Sequence, residues 1–351
     1  MSIYISGSCC ISPQLTFNQN WPPTEINQAH EFHLPAIEPQ YAAYIPPLLI
    51  RRMKKVIKMS VACAFETLKT SQIEMPDAII VATGMGCFDD SCRFLEQLID
   101  NEGGLLPPTN FIQSTHNSIS SQIALMRQCH GYNMTYVHKG ISFESALTDA
   151  MLMLSENPEL NILTGGADEN TVVYTELLTH AGYLKEGTRH FLEDEHQGYI
   201  QGEGSAFFMV TGADHESCFA KIDDVGTFSF PESEHEIIKN AQLFLQKNKI
   251  SIENIDLCML GFSGDAILDF KLKQVSSSYL KSVPKIIYKN ICGEYFTASS
   301  FALWVASQIL KTKQIPSYLC IEEQKSGSAR NILIINHYRD SNYSFLLVSS
   351  C

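Results

Sequence analysis

The chain has 351 residues, of which 45% are hydrophobic and 18% charged, a composition typical of a globular protein with an extensive core. Its formal net charge of −13 argues against nucleic acid or an anionic membrane surface as the main partner. No segment approaches the length of about 18 consecutive apolar residues that a membrane span needs, so no transmembrane helix is expected.

Cysteine usage indicates a reducing compartment. The 11 cysteines are scattered without CxxC pairs, which fits neither a zinc site nor a disulfide framework. We therefore expect a cytoplasmic protein without a metal site, and no motif in the sequence calls for a cofactor.

Strands and helices are predicted to alternate along the first half of the chain. The first 50 residues are rich in Pro, Asn and Gln, and apart from a strand at Ile3–Ser6 we expect them to lie over the surface. A helix is predicted over 51–70, and a buried strand within 77–86 leads into a helix over 90–100. A further helix, which begins with small residues, is predicted over 118–129.

The stretch TYVHKGISFESALTDAMLML, residues 135–154, has the pattern of a catalytic elbow. A strand runs into a tight turn at Lys139-Gly140, and an amphipathic helix with one apolar stripe follows at once. A buried strand at 160–168 then completes a βαβ unit, which favours a parallel sheet. Enzymes use this geometry to hold a nucleophile at a helix N-terminus, but Gly140 has no nucleophilic atom.

The same order of elements begins again after a glycine-pinned turn and strand at 198–210. Strand, helix and strand are predicted at 221–230, 235–247 and 255–265. A strand at 284–290, a helix at 298–311 and a hairpin of 331–338 with 343–350 close the chain. We predict an α/β protein of two similar α/β halves, residues 1–215 and 216–351.

Several segments resemble the β-ketoacyl-ACP synthases of the thiolase superfamily. The resemblance runs from PTNFIQSTHN (108–117) through the elbow to NILTGGADEN (161–170), and it continues in the glycine-bracketed GEG at 202–204. CMLGFSGD (258–265) and KNICGEYFTASSFAL (289–303) are similar to the family's two histidine loops. The resemblance covers about residue 75 to the end, and it implies a thiolase-like fold with α, β, α, β and α layers.

The catalytic positions depart from the family pattern. The resemblance places the family's nucleophilic cysteine on Gly140, its first catalytic histidine on Leu260 and its second on Glu294, while the family's lysine is kept as Lys289. The glycine-rich loop gated by phenylalanine falls near 336–343, where the chain reads NHYRDSNY. Condensation needs a thiolate to carry the acyl chain and imidazoles to activate decarboxylation, so the chain is expected to be inactive alone.

A synthase fold without its chemistry resembles a chain length factor, and this short version is similar to the partner subunits of bacterial aryl polyene and flexirubin-type pathways. The resemblance implies a heterodimer with a catalytic ketosynthase in fatty-acid or polyketide biosynthesis, with acyl carrier protein involved only indirectly. It makes residues 131–137 the interface strand, with Tyr132, Met134 and Tyr136 as contact candidates. The segment 111–117 would approach the partner's pocket, with Thr115 and His116 as tunnel-lining candidates.

Two further residues near the turn have alternative interpretations. Ser142 is the nearest hydroxyl to Gly140 and a substitute nucleophile, although an N-cap of the elbow helix is the expected role. His138 either faces the vacant pocket or makes an interface or core hydrogen bond. Lys289 and Glu294 are expected to pair with each other.

Two other functions remain open from the sequence. One is a working acyltransferase with relocated catalytic residues, such as Ser142 or a nearby cysteine. The other is a homodimeric module that binds an acyl chain in the unused pocket and needs no partner enzyme. The sequence does not define product chain length, starter unit or partner identity.

Overall fold

The structure is a computed structural model that describes residues 2–28, 33–184, 197–321 and 328–351. Ten strands form one sheet with the order β3-β2-β4-β5-β1-β6-β10-β9-β7-β8. The strands are β1 (Ile3–Ile11), β2 (Ala78–Ala82), β3 (Tyr132–Tyr136), β4 (Asn161–Asp168), β5 (Gly204–Thr211), β6 (Ala220–Ser229), β7 (Leu257–Gly261), β8 (Lys285–Ile287), β9 (Asn331–Tyr338) and β10 (Asn342–Ser349).

The two ends of the sheet repeat one topology. Read from the outer edge of the sheet inward, β1–β5 have the order third, second, fourth, fifth and first strand, and β6–β10, read inward from the opposite edge, have the same order. In each set the second strand pairs in parallel with the third and fourth, while the fifth pairs antiparallel with the fourth and first. A short antiparallel ladder between β1 and β6 joins the sets. We propose the loop between β5 and β6, around residue 215, as the boundary of the two halves.

Helices cover the sheet and fill its centre, which gives the predicted thiolase-like α/β fold. The helices are α1 (Pro47–Ile50), α2 (Lys55–Ser71), α3 (Phe88–Asp100), α4 (Pro108–Gln113), α5 (Ser118–Arg127), α6 (Ser142–Glu156), α7 (Val172–His180), α8 (Glu234–Lys247), α9 (Phe270–Ser277), α10 (Lys289–Cys292) and α11 (Ala298–Thr312). α2 and α5 pack outside β1–β5, whereas α8 and α9 pack outside β6–β10. α6 and α11 lie between the two sets of strands, so the layers run α, β, α, β, α.

The elbow helix α6 buries the stripe that its sequence predicts. Phe143, Ala146, Leu147, Ala150 and Leu154 are all buried in the central core cluster. Full burial of a Phe or Leu side chain contributes about 1.5–3 kcal/mol, so this stripe fixes the direction in which the helix leaves the turn.

The expectation that, apart from a strand at Ile3–Ser6, the first 50 residues lie over the surface is wrong for the residues that follow this strand and right for much of the described segment after Ile11. β1 extends to Ile11 and occupies the middle of the sheet, with Cys9 packed toward α2 and Cys10 toward the central layer. The segment after it, which has little regular structure, buries Trp21 and Ile45. The strand was predicted too short because the small residues after Ser6 form no long apolar run, yet such residues allow a helix to approach closely, as at Gly7 beside Ser71 of α2.

Other boundaries differ by a few residues. The helix predicted from residue 51 begins at Lys55, and the strand predicted over 284–290 ends at Ile287. Lys289 therefore begins the short helix α10 instead of ending a strand. Across the described ranges, no helix combines the length and the apolar character that crossing a membrane requires.

Candidate functional site

The turn at the elbow is a 3-10 turn at Lys139–Ile141 between β3 and α6. Lys139 has a positive φ of 52°, whereas Gly140 is not in the left-handed region. A positive φ, the usual reason for a glycine in a turn, therefore does not account for Gly140. A different constraint must explain why this buried position has no side chain.

That constraint is the side chain of Tyr338, the last residue of β9. A Cβ placed on Gly140 would overlap the Cβ of Tyr338 and lie 2.6 Å from its Cγ. The ring of Phe296 stacks on Tyr338 with centroids 4.9 Å apart, and Tyr174 stacks on Phe296 at 6.0 Å. An aromatic column thus fills the space beside the turn.

The β9–β10 turn holds Tyr338 in place from two sides. Arg339 donates from Nη2 to the Tyr199 hydroxyl at 2.7 Å, and its guanidinium lies 4.3 Å from the Tyr183 ring. Asp340 pairs with Lys271 at 2.9 Å. Arg339 and Asp340 have φ values of 51° and 52°, a conformation that costs a non-glycine residue about 1–2 kcal/mol. These contacts offset that strain.

Lys289 and Glu294 form the buried ion pair that the sequence predicts, at 2.8 Å. Lys289 also donates to the His337 carbonyl oxygen at 2.7 Å. Burial raises the pKa of Glu294, and the Lys289 ammonium opposes that rise. The position expected for the family's second histidine is thus committed to a structural contact.

A buried histidine does lie close by, although the sequence analysis did not single it out. His337 on β9 pairs through Nε2 with Asp269 at 2.8 Å, and the Asp340 N–H donates to its Nδ1 at 3.3 Å. Burial opposes ionisation of Asp269, but His337 and Ser263 outweigh it and hold the pKa of this carboxyl below its usual range. Both ring nitrogens are engaged, so His337 is no free acid or base.

Leu260 is directed away from the elbow. Its side chain lies in the cluster that β7 forms with α8 and α9, because residues alternate across a strand. Gly261 instead faces the site, where an added Cβ would lie 2.8 Å from the Tyr288 hydroxyl. The structure therefore does not bring Leu260 to Gly140, and its match to the first catalytic histidine stays a prediction.

Ser142 does not act as the expected N-cap. Its hydroxyl accepts from the His138 N–H at 2.7 Å and donates to the Lys139 carbonyl at 2.7 Å, so it closes the turn. The N-cap of α6 is Ile141, without a side-chain hydrogen bond. His138 is exposed, and its Nδ1 lies 2.9 Å from the Ser145 hydroxyl.

The remaining candidates lie on one exposed side of the chain. Thr115 and His116 are exposed, and the His116 Cα lies 3.0 Å from where a Cβ of Gly86 would sit. Tyr132 and Met134 on β3 are 40% and 39% exposed. In the described parts of the chain, β3 pairs only with β2, so its other edge is open, and Tyr136 at its end is half-buried.

Among the residues that the structure describes, a small cavity lies beside Tyr338. Its volume is about 20 Å³, and its lining includes Glu169, Glu294 and the rings of the aromatic column. That volume holds about one water molecule and no acyl chain. Burial raises the pKa of Glu169 to about 7, although the Val56 N–H bonded to this carboxylate opposes the rise. Within the four described ranges, no group of three or more His, Cys, Asp or Glu residues is placed to hold a metal ion.

Comparison with known proteins shows which family part of the chain is similar to. Residues 19–181 match the family model described as beta-ketoacyl synthase, N-terminal domain. No curated protein sequence matches the chain.

Solved structures of ketosynthases superpose on the whole chain. The ishigamide ketosynthase/chain length factor has a TM-score of 0.82 at 16% identity, covering 100% of this chain and 99% of that one. A beta-ketoacyl synthase from Burkholderia phymatum STM815 has a TM-score of 0.82 at 15% identity, covering 99% of each chain. A ketosynthase in complex with its chain length factor from Xenorhabdus doucetiae has a TM-score of 0.78 at 15% identity, covering 100% and 98%.

These identities are low, so the superpositions establish the fold alone. Residues 19–181, somewhat less than half of the chain, match the N-terminal domain of the beta-ketoacyl synthase family, and the chain as a whole has the fold of the ketosynthase structures.

Proposed function

We propose that this chain is a non-catalytic, chain-length-factor-like subunit that pairs with a catalytic β-ketoacyl synthase and shapes its product. The observation that carries the proposal is the position of Tyr338, whose side chain takes the space that a nucleophilic side chain would need at Gly140. Condensation passes through a covalent acyl intermediate on such a side chain. Position 140 offers neither the atom nor the space for such an intermediate.

The charge beside the turn also disfavours condensation. A condensing site stabilises a developing enolate oxygen with hydrogen-bond donors. Glu294 brings a carboxyl group instead, and the ammonium of Lys289 is shared between that carboxyl and a backbone carbonyl. The Lys289 ammonium is therefore engaged in structural hydrogen bonds and does not stabilise an enolate oxygen.

Relocated catalytic residues receive little support. The Ser142 hydroxyl both donates and accepts within the turn. Cys292 is buried, and burial raises the pKa of its thiol, so its thiolate is disfavoured. Neither side chain is activated as a nucleophile for attack on a thioester.

The open edge of β3 supports an assembly with another chain. Its residues Tyr132–Tyr136 carry no charge, and an exposed edge strand without charges or proline is a template for strand pairing. Antiparallel pairing through Met134 would continue the sheet into a second subunit. Because this chain lacks its own nucleophile, we propose a catalytic synthase as the partner, with acyl carrier protein delivering substrates to that partner.

Two solved neighbours are themselves described as pairs of a ketosynthase and a chain length factor, which supports the same arrangement here. A fatty-acid or polyketide pathway of the aryl polyene type is the setting that we propose.

The test is a condensation assay with acyl and malonyl carrier proteins. The isolated chain should form no β-ketoacyl product, and adding a catalytic synthase from the same organism should yield product whose length depends on this chain. Condensation by the isolated chain that disappears in Ser142→Ala would overturn the proposal, because it would identify a relocated nucleophile.

A further inference from the structure

One carboxylate lies beside the open edge of β3. The side chains of Tyr132, Met134 and Tyr136 share one face of this strand, because residues alternate across it, and that face belongs to the central layer that contains α6. Asp149 of α6 reaches this face. The Tyr132 hydroxyl donates to its Oδ2 at 3.1 Å.

The carboxylate lies at a defined height along the strand. Burial raises the pKa of Tyr132, and it raises the pKa of Tyr136 to about 12; the negative charge of Asp149 adds to both shifts. Asp149 is therefore close to both tyrosine rings. Since the two tyrosines lie on either side of Met134, the carboxylate lies at the height of Met134.

The chain itself does not neutralise this charge. Within the described ranges, no lysine, arginine or histidine side chain forms an ion pair with Asp149. The exposed His138 bonds instead to Ser145, one helical turn earlier in α6. A negative charge therefore remains at the edge where we propose that the partner binds.

This position matters because of the symmetry of a self-pair. If two copies of the chain paired antiparallel through β3, with Met134 on the two-fold axis, Tyr132 of each copy would lie opposite Tyr136 of the other. Both Asp149 carboxylates would then lie at the same height, on opposite sides of the axis, beside strands about 4.8 Å apart. Like charges opposed across paired strands are destabilising, and partial burial strengthens their repulsion.

We infer that Asp149 selects the partner at this edge: it disfavours a second copy of this chain and favours a synthase subunit that presents a lysine or arginine beside the two-fold axis. The inference rests on the proposed function, because it uses the same strand edge. A partner of different sequence is not bound by the symmetry of a self-pair, so it can place a cation where a second copy places Asp149. Such charge complementarity rejects wrong partners more than it adds affinity.

The test is a charge swap across the axis, measured by native mass spectrometry with an affinity tag on one of the two chains. The wild type and Asp149→Lys should each stay monomeric, because each alone opposes like charges. Their mixture should form a mixed pair, with a dissociation constant at least about tenfold lower than that of either self-pair. Asp214→Lys, in the exposed loop between β5 and β6, is the control and should form no mixed pair with the wild type.

The catalytic synthase supplies the second arm of the test. It should bind the wild type and Asp214→Lys equally, and it should bind Asp149→Lys at least about tenfold more weakly. Thermal unfolding of Asp149→Lys checks that its fold is retained.

The outcomes separate the inference from the proposed function. A mixture of the wild type and Asp149→Lys that stays monomeric would overturn the inference, and so would equal binding of the synthase to both chains. Binding of the synthase to the wild type would in either case leave the proposed function standing. If the synthase binds no version of the chain, the proposed function fails, and the partner that the inference names fails with it.

Discussion

At the scale of single residues, Gly140 and Tyr338 share one space beside the elbow. The glycine is required because the tyrosine ring lies where its side chain would extend, and the ring is packed in turn by Phe296. Restoring a cysteine at position 140 would therefore not restore a synthase site. The two positions have to change together.

Gly140→Cys is expected to lower the free energy of unfolding by about 1–3 kcal/mol, the usual effect of overpacking a core. Urea denaturation measures it. In a Tyr338→Gly background the cysteine has room. Gly140→Cys should therefore lower the free energy of unfolding less in that background than in the wild type. Gly104→Cys in an exposed turn is the control. Wild-type stability for Gly140→Cys would contradict the packing argument.

The raised pKa of Glu169 predicts the direction in which the free energy of unfolding changes with pH. Burial, against the opposing Val56 N–H, raises its pKa from 4.5 to about 7, so between these values the folded state binds a proton that the unfolded state releases. The free energy of unfolding should therefore fall as pH rises through this window, by about 3 kcal/mol at most. Denaturant titrations at pH values across the window measure this slope.

Glu169→Gln should flatten this slope, while Glu159→Gln, at an exposed position, should leave it as in the wild type. If the slopes of the wild type and Glu169→Gln are equal, the assignment to this carboxyl is wrong.

Sequence reasoning reached some of these residues and missed others for physical reasons. The Lys289–Glu294 pair is predictable because the two opposite charges lie only five positions apart, within one loop segment that the resemblance identifies. Tyr338 is not, since its overlap with Gly140 depends on how β9 lies against α6. The same limit applies to Leu260: the direction of a side chain on a short strand depends on register, and one residue reverses it.

At the scale of elements, one buried carboxylate joins three of them. Asp168 at the end of β4 accepts from the Gly84 N–H after β2 at 2.7 Å, and from the Thr297 N–H and hydroxyl before α11 at 2.9 and 2.7 Å. The central helix α11 is thereby tied to the edge of the sheet where the elbow lies.

Asp168→Ala is expected to destabilise the protein by about 3 kcal/mol or more, because it leaves several buried donors without an acceptor. Chemical denaturation measures the change. Asp214→Ala, at an exposed position, is the control. A loss below about 1 kcal/mol would show that this carboxylate does not hold the elements together.

The elements themselves are largely predictable, and the exception is informative. The amphipathic stripe of α6 and the apolar runs of β4 and β9 identify them from the sequence alone. β1 was predicted only in part, because its central position depends on β5 and β6, whose sequences lie some 200 residues away. The small residues of β1 form no long apolar run, and such a run is the sequence pattern that predicts a strand buried on both faces.

At the scale of the whole molecule, the open edge of β3 is the surface where we propose that a partner binds. Met134 is 39% exposed in the single chain, so Met134→Lys should leave the subunit folded. In a paired strand the lysine would be buried, and it should weaken association at least tenfold. Leu152→Lys, on the exposed face of α6, is the control and should not affect association. Sedimentation velocity separates the two outcomes.

The most direct measurement of the central claim is native mass spectrometry of this chain mixed with a catalytic β-ketoacyl synthase from the same organism. We predict a complex with one copy of each chain, which is lost in Met134→Lys and retained in Leu152→Lys. A stable homodimer of this chain that ignores the added synthase would contradict it.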